Sequence, residues 1–213
     1  MHDFCGGAAE RAVIPQGVVG QSQRVIDGWV EFLGRVAWDL FITLTYDPKR
    51  YGRSGVESWL SSVRWLLDTW LGQAAVDAGL GRWEERVDST GHKSQVLHGS
   101  IGNAWRKGRC RPMYACALEP HEDGRLHAHV LVKLPAWCGR LDWSFGQALW
   151  WKHRGLSEFE VPRAQGDVCG YVAKYVLKGQ GEGLYLSPNY EAPAMVTAQS
   201  VPSSAVADTL VPS

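Results

Sequence analysis

The chain has 213 residues, 45% of them hydrophobic, with 22 Lys and Arg set against 22 Asp and Glu. That length suits one domain with a sizeable core, and a net charge of zero excludes an overall basic field, so any nucleic-acid role must rest on local charge clusters. The five cysteines form no CxxC pair, which argues against a zinc ribbon and fits reduced thiols in a cytoplasm; there is no apolar run of membrane-spanning length, no signal-peptide pattern and no Walker A loop.

Residues 1–22 are rich in Gly, Ala and Gln and have weak periodicity, which predicts a mobile segment. Val25, Ile26, Trp29, Val30 and Leu33 recur at helical spacing, which predicts a helix over 24–35. Phe41 to Tyr46, within "LFITLTYDP", is β-branched and aromatic and stops at Asp47-Pro48, as a strand does. Ser54 and Glu57 have capping-box spacing ahead of a long apolar stripe, Trp59, Leu60, Val63, Leu66, Leu67, Trp70 and Leu71. This is the clearest helix in the sequence, and Gly79 and Gly81 end it. Residues 80–110 are polar and punctuated by glycine. They form a long insertion without an assignable element, closing on the basic cluster Arg106, Lys107, Arg109 and Arg111.

Met113–Glu119 and Leu126–Leu134 read as two strands with "EDG" as turn material between them. A helix is expected over 142–153, a strand over 157–161 and a helix over 167–178. From residue 187 onward the chain is Pro, Ser, Ala, Thr and Val with almost no charge, which predicts a disordered tail. The domain is therefore expected to span 23–186. The order strand, helix, strand, strand, helix, strand predicts an α+β fold with a ferredoxin-like or RRM-like βαββαβ core, followed by a helix.

Two patterns carry chemistry. In "RLHAHVLV" the residues Leu126, Ala128, Val130 and Val132 share one strand face, and His127 and His129 share the other. A turn centred on Asp123 places Glu119 across from His127 and Ala117 across from His129, so the carboxylate joins the imidazoles on one face. Two imidazoles and a carboxylate suit Mg²⁺ or Mn²⁺ bound with a phosphate, and zinc also fits. In "GDVCGYVAKYVLKG" the residues Val168, Cys169, Val172, Ala173 and Val176 form an apolar stripe. Tyr171, Lys174, Tyr175 and Lys178 fill the other side of that helix. A phenol is ionised in roughly one molecule in a thousand at neutral pH; nearby lysines or a metal would raise that fraction and make it a nucleophile for a phosphodiester. The plainer alternative is an amphipathic helix with snorkelling lysines.

Together, "FITLTYDP", Glu119 with "RLHAHVLV", and "YVAKYVLK" resemble the HUH endonuclease superfamily. The resemblance, over residues 38 to 180, is to rolling-circle replication initiators of single-stranded DNA phages and bacterial plasmids. It implies that His127 and His129 hold a divalent metal with Glu119. It implies further that Tyr171 and Tyr175, with Lys174 and Lys178, cleave and rejoin single-stranded origin DNA through a 5′-phosphotyrosine. Host helicase and DNA polymerase are the implied partners, and no membrane is involved. Lys49, Arg50, Arg53, Arg106, Lys107, Arg109 and Arg111 are the expected DNA contacts. Two other classes stay open: an HUH-type transposase, which usually has one catalytic tyrosine, and a non-catalytic RRM-like nucleic-acid binder.

Overall fold

A computed structural model describes residues 22–47, 49, 55–120, 125–139, 141–178 and 184–190. The segments expected to be mobile at the start and disordered at the end lie almost wholly outside the described residues, as do Arg50, Arg53, Ser54 and the "EDG" turn. In chain order the elements are α1 (Ser22–Gly34), β1 (Leu40–Tyr46), α2 (Val56–Asp77), β2 (Arg82–Val87), β3 (Lys93–His98) and α3 (Gly102–Arg106). There follow β4 (Met113–Pro120), β5 (Leu126–Lys133), α4 (Ser144–His153), β6 (Gly155–Glu160), α5 (Gln165–Lys178) and β7 (Leu184–Leu186). The fold is α+β around a central antiparallel sheet of five strands in the order β6-β1-β5-β4-β7.

Alternation along the strands gives the sheet two different faces. Leu40, Ile42, Leu44 and Tyr46 of β1 join Cys116, Leu118, Ala128, Val130 and Val132 in a core against α2 and α4. Tryptophan builds much of it: Trp59, Trp70 and Trp150 are almost completely buried. Tyr46 stacks between Trp59 and Trp150, with ring centroids at 3.9 and 5.6 Å, and donates its hydroxyl to Ser62 Oγ at 2.7 Å. The opposite face carries a second, smaller core of Ala115, Ala117 and Leu131 under Leu33 of α1 and Cys169, Val172 and Tyr175 of α5. The face expected to be free of the core is thus partly roofed by two helices.

Three local features differ from expectation. The N-cap of α2 is Gly55 and makes no side-chain capping bond. Residues 80–110 fold as the β2–β3 hairpin and the short α3; both strands are largely exposed on both faces, so no apolar alternation marks them. The hairpin docks through Trp83 above Gly72, where a Cβ would approach the indole ring to 2.5 Å, and Trp83 Nε1 donates to Gln73 Oε1 at 3.2 Å. Last, the packed chain runs on through residue 190. Ser187 exchanges hydrogen bonds with Tyr114, its N–H donating to the carbonyl at 2.9 Å and its Oγ accepting from the amide at 3.0 Å. Tyr190 stacks on Phe32 and Trp38. Among the described residues no helix is long and apolar enough to cross a membrane.

Candidate active site

The β4–β5 register is the one that a turn centred on Asp123 requires: Glu119 pairs with His127 and Ala117 with His129. β1 continues both rows. Thr45 lies across from His127 and Thr43 across from His129, and each hydroxyl is within hydrogen-bond distance of its histidine's Nδ1, at 3.4 and 3.3 Å. The sequence analysis passed over these threonines. Their signal was the T-x-T alternation in "FITLTYDP", which repeats the H-x-H alternation of β5. Because β1 is central, its inward side chains fix how the imidazoles are turned.

His129 is nearly inaccessible, at 3% exposure, and its Nε2 lies 2.9 Å from Glu119 Oε2. Burial lowers its pKa, against the opposing pull of Glu119, so the ring is held neutral, the state in which an imidazole ligates a cation. His127 is half-buried.

Helix α5 crosses above this row. Its entry is fixed by Gln165, whose Oε1 accepts from the Trp38 amide at 2.9 Å and whose Nε2 donates to the Trp38 carbonyl at 2.8 Å. The linker ahead of β1 and the first turn of the tyrosine helix are thereby tied together. One turn of helix separates Tyr171 from Tyr175, and their ring centroids are 5.1 Å apart. Both rings meet His129, Tyr175 stacked at 4.8 Å and Tyr171 edge-on at 5.0 Å, while Phe41 closes the group.

The two phenols differ in environment. Tyr171 is 38% exposed and Tyr175 only 7%. Burial, followed by hydrogen bonding to Tyr171 and the nearby Glu119, pushes the Tyr175 phenol well above its usual pKa. The expectation that both tyrosines lie on a polar side the core does not need therefore fails for Tyr175, which is itself core. α1 and α5 cover the sheet there, and a buried phenol with a carboxylate neighbour resists ionisation. Lys174 is exposed; the side chain of Lys178 lies outside the described residues.

The donor types fit a divalent cation: two imidazoles, one of them held neutral, and a carboxylate on one face. Glu119, His127 and His129 are nevertheless not gathered round a common point. Among the described residues no group of three or more His, Cys, Asp or Glu is placed to hold a metal. The physical reason is visible at His129, where the Glu119 carboxylate is engaged in a hydrogen bond to the ring nitrogen.

The expected DNA-contacting residues are dispersed. Lys49 is exposed just past β1, its backbone N–H donating to Asp47 Oδ1 at 2.9 Å. Arg106, Lys107 and Arg111 line a cavity against α2 and Tyr114, on the sheet face away from the histidines. Arg109 is exposed beside them. The structure does not bring this cluster to the tyrosines.

A family model of replication-associated proteins, the ORF2 type, matches residues 86–180. That span holds Glu119, His127, His129, Tyr171 and Tyr175, and it gives family-level support for a Rep-like replication-initiation role. No curated protein and no solved structure was found to match the chain.

Proposed function

We propose that the protein initiates rolling-circle replication by nicking and rejoining single-stranded origin DNA through a tyrosine. The observation that carries this is the meeting of two tyrosines, one turn apart, over the His129–Glu119 pair. The order of the elements and the strand order support it, since β6-β1-β5-β4 with α2 and α4 as crossovers is that of a ferredoxin-like βαββαβ unit, with β7 added at one edge.

Tyr171 is the first nucleophile, because its ring is exposed and its hydroxyl need not leave the core to meet DNA. Its oxygen, having lost its proton, attacks the scissile phosphorus. The P–O3′ bond breaks, the 3′ oxygen leaves with the bonding pair and takes up a proton, and the 5′ end stays on Tyr171 as a phosphotyrosyl diester. Attack by a 3′-OH on that diester reverses the sequence and rejoins a strand. The bond energy is kept in the diester, so no nucleotide hydrolysis is needed. Lys174, three residues after Tyr171 on the exposed side of α5, is placed to offset charge on the phosphate. Tyr175 is the nucleophile of a second cleavage, which requires its hydroxyl to exchange the buried hydrogen bonds for DNA. His127, His129 and Glu119 would hold a Mg²⁺ or Mn²⁺ ion, which when bound neutralises charge developing on the phosphate oxygens.

The test is incubation of the full chain with end-labelled single-stranded origin DNA and Mn²⁺, followed by a denaturing gel. A covalent adduct on the 5′ side of the nick, lost in the double variant Tyr171→Phe with Tyr175→Phe, is the expected result. DNA binding with no adduct under any metal would leave a non-catalytic binder instead.

A further inference from the structure

The largest concentration of positive charge among the described residues surrounds a cavity that the tyrosine chemistry does not use. The cavity measures about 380 Å³ and lies between α2, the end of α3, the start of β4 and residues 187–189 after the edge strand β7. Its mouth carries Arg64, Arg106, Lys107 and Arg111; Leu67, Pro112 and Pro188 give it apolar walls. It is on the α2 side of the sheet, while Glu119 and the histidines are on the other, and Tyr114 stands five residues before Glu119 along β4.

Two buried polar groups in the wall lack hydrogen-bond partners among the described residues. Asp68 is 4% exposed and Tyr114 is 4% exposed, and neither Asp68 Oδ2 nor the Tyr114 hydroxyl makes a hydrogen bond. Arg111 Nη1 approaches Asp68 Oδ2 only to 3.4 Å, and the Nε of Arg111 is already given to the Trp105 carbonyl at 2.9 Å. Arg64 acts on the Tyr114 hydroxyl without reaching hydrogen-bond geometry. Buried polar atoms are seldom left unpaired, and two of them in one cavity ringed by cations describe a place made for a ligand. Burial also raises the Asp68 pKa to about 6 in spite of the arginines, a perturbation typical of functional groups.

The chemistry narrows the ligand. A buried carboxylate accepts hydrogen bonds and donates none, so it selects a group with adjacent donors. Among the bases, guanine alone presents two neighbouring donors, the imino N1–H and the amino N2–H, with the O6 acceptor beside them for a hydroxyl or guanidinium. Flat apolar walls and hydrogen bonds to the base-pairing edge are how proteins read an unstacked base, and the arginines and lysine at the mouth suit its phosphate. We propose that this cavity holds an unstacked guanine of single-stranded DNA, its imino and amino edge on Asp68 and its flanking phosphate on Arg64, Arg106 and Lys107. The site would fix the register of the strand on the protein from the face opposite the tyrosines. It rests on the DNA-processing function proposed above.

The experiment measures binding of the full chain to a labelled oligo-dT of about 15 nucleotides and to versions with one central dG, dA or dI. A carboxylate–guanine contact is expected to make the dG oligomer bind about tenfold tighter than the other natural sequences. Inosine, which lacks the N2 amino group, loses most of that preference without any change to the protein. Asp68→Asn abolishes the preference and leaves affinity for plain oligo-dT as it was. Equal affinity for dG and dT oligomers in the unaltered protein, or a preference that survives in Asp68→Asn, overturns the assignment while leaving DNA binding intact. Binding of free dGMP without any preference among oligomers overturns it in favour of a free-nucleotide site. No binding to any oligomer removes the DNA-processing function as well.

Discussion

The imidazole of His129 lies flat against the phenol ring of Tyr175, with centroids 4.8 Å apart and planes within 17°. A residue expected to face open space is therefore the floor of a packed helix, and the same ring hydrogen-bonds Glu119. Structural and chemical roles converge on one side chain, and substitutions of the two histidines should separate them.

His129→Ala removes a buried ring, opens a gap under Tyr175 and leaves the Glu119 carboxylate without its partner. A loss of about 2–4 kcal/mol is expected, together with loss of the covalent DNA adduct. His127→Ala, at a half-buried position, should lower stability by about 1 kcal/mol or less and still lose the adduct. Urea denaturation of both variants checks this. Equal stability of the two would contradict the packing described for His129.

The tyrosines are not equivalent. Tyr171→Phe should reduce adduct yield on short DNA by about a hundredfold or more, since no other exposed phenol replaces it at this site. Tyr175→Phe should retain most of the first cleavage and cost about 1 kcal/mol from the lost hydroxyl contacts. Adduct yields with 5′- and 3′-labelled oligonucleotides decide; full activity of Tyr171→Phe would move the first nucleophile to Tyr175.

Gln165→Ala cuts both hydrogen bonds to the Trp38 backbone. A loss of about 1–2 kcal/mol in stability is expected. Adduct formation should slow with little change in DNA affinity, because Gln165 positions α5 without lying among the residues that meet DNA. If affinity falls as much as rate, the bond serves more than alignment of the helix.

Asp68 should make stability depend on pH in an unusual direction. Its folded-state pKa, about 6, lies above the ordinary value of 3.8, so the native state binds the proton more tightly than the unfolded chain does. The contribution of this group is most favourable below pH 3.8. It declines as pH rises towards 6, and above that it is a penalty of about 3 kcal/mol. Asp68→Asn should therefore raise the melting temperature at neutral pH and flatten the stability profile between about pH 4 and 6. An unchanged profile would mean that the carboxylate is better solvated than its burial implies.

The sequence by itself determined the local pieces of the site. Alternation along β5 assigned His127 and His129 to one face because side chains in a strand have a period of two. The hairpin length then set Glu119 opposite His127, as the β4–β5 register has it. The stripe of α2 and the order of the elements were legible for the same reason, since strong periodicity reports one buried face. What covers the other face was not legible. α1 and α5 reach it through contacts between distant parts of the chain, among them Trp38 with Gln165 and Tyr190 with Phe32. These contacts bury Tyr175 and His129 and leave Tyr171 exposed, so the difference between two tyrosines with the same flanking pattern arises only in tertiary packing. The hairpin of residues 82–98 was hidden because its strands are exposed on both sides and carry no apolar period. The cavity over Asp68 was hidden because its walls come from α2, the end of α3, β4 and residues 187–189, which lie far apart in the chain and share no pattern until the sheet assembles them.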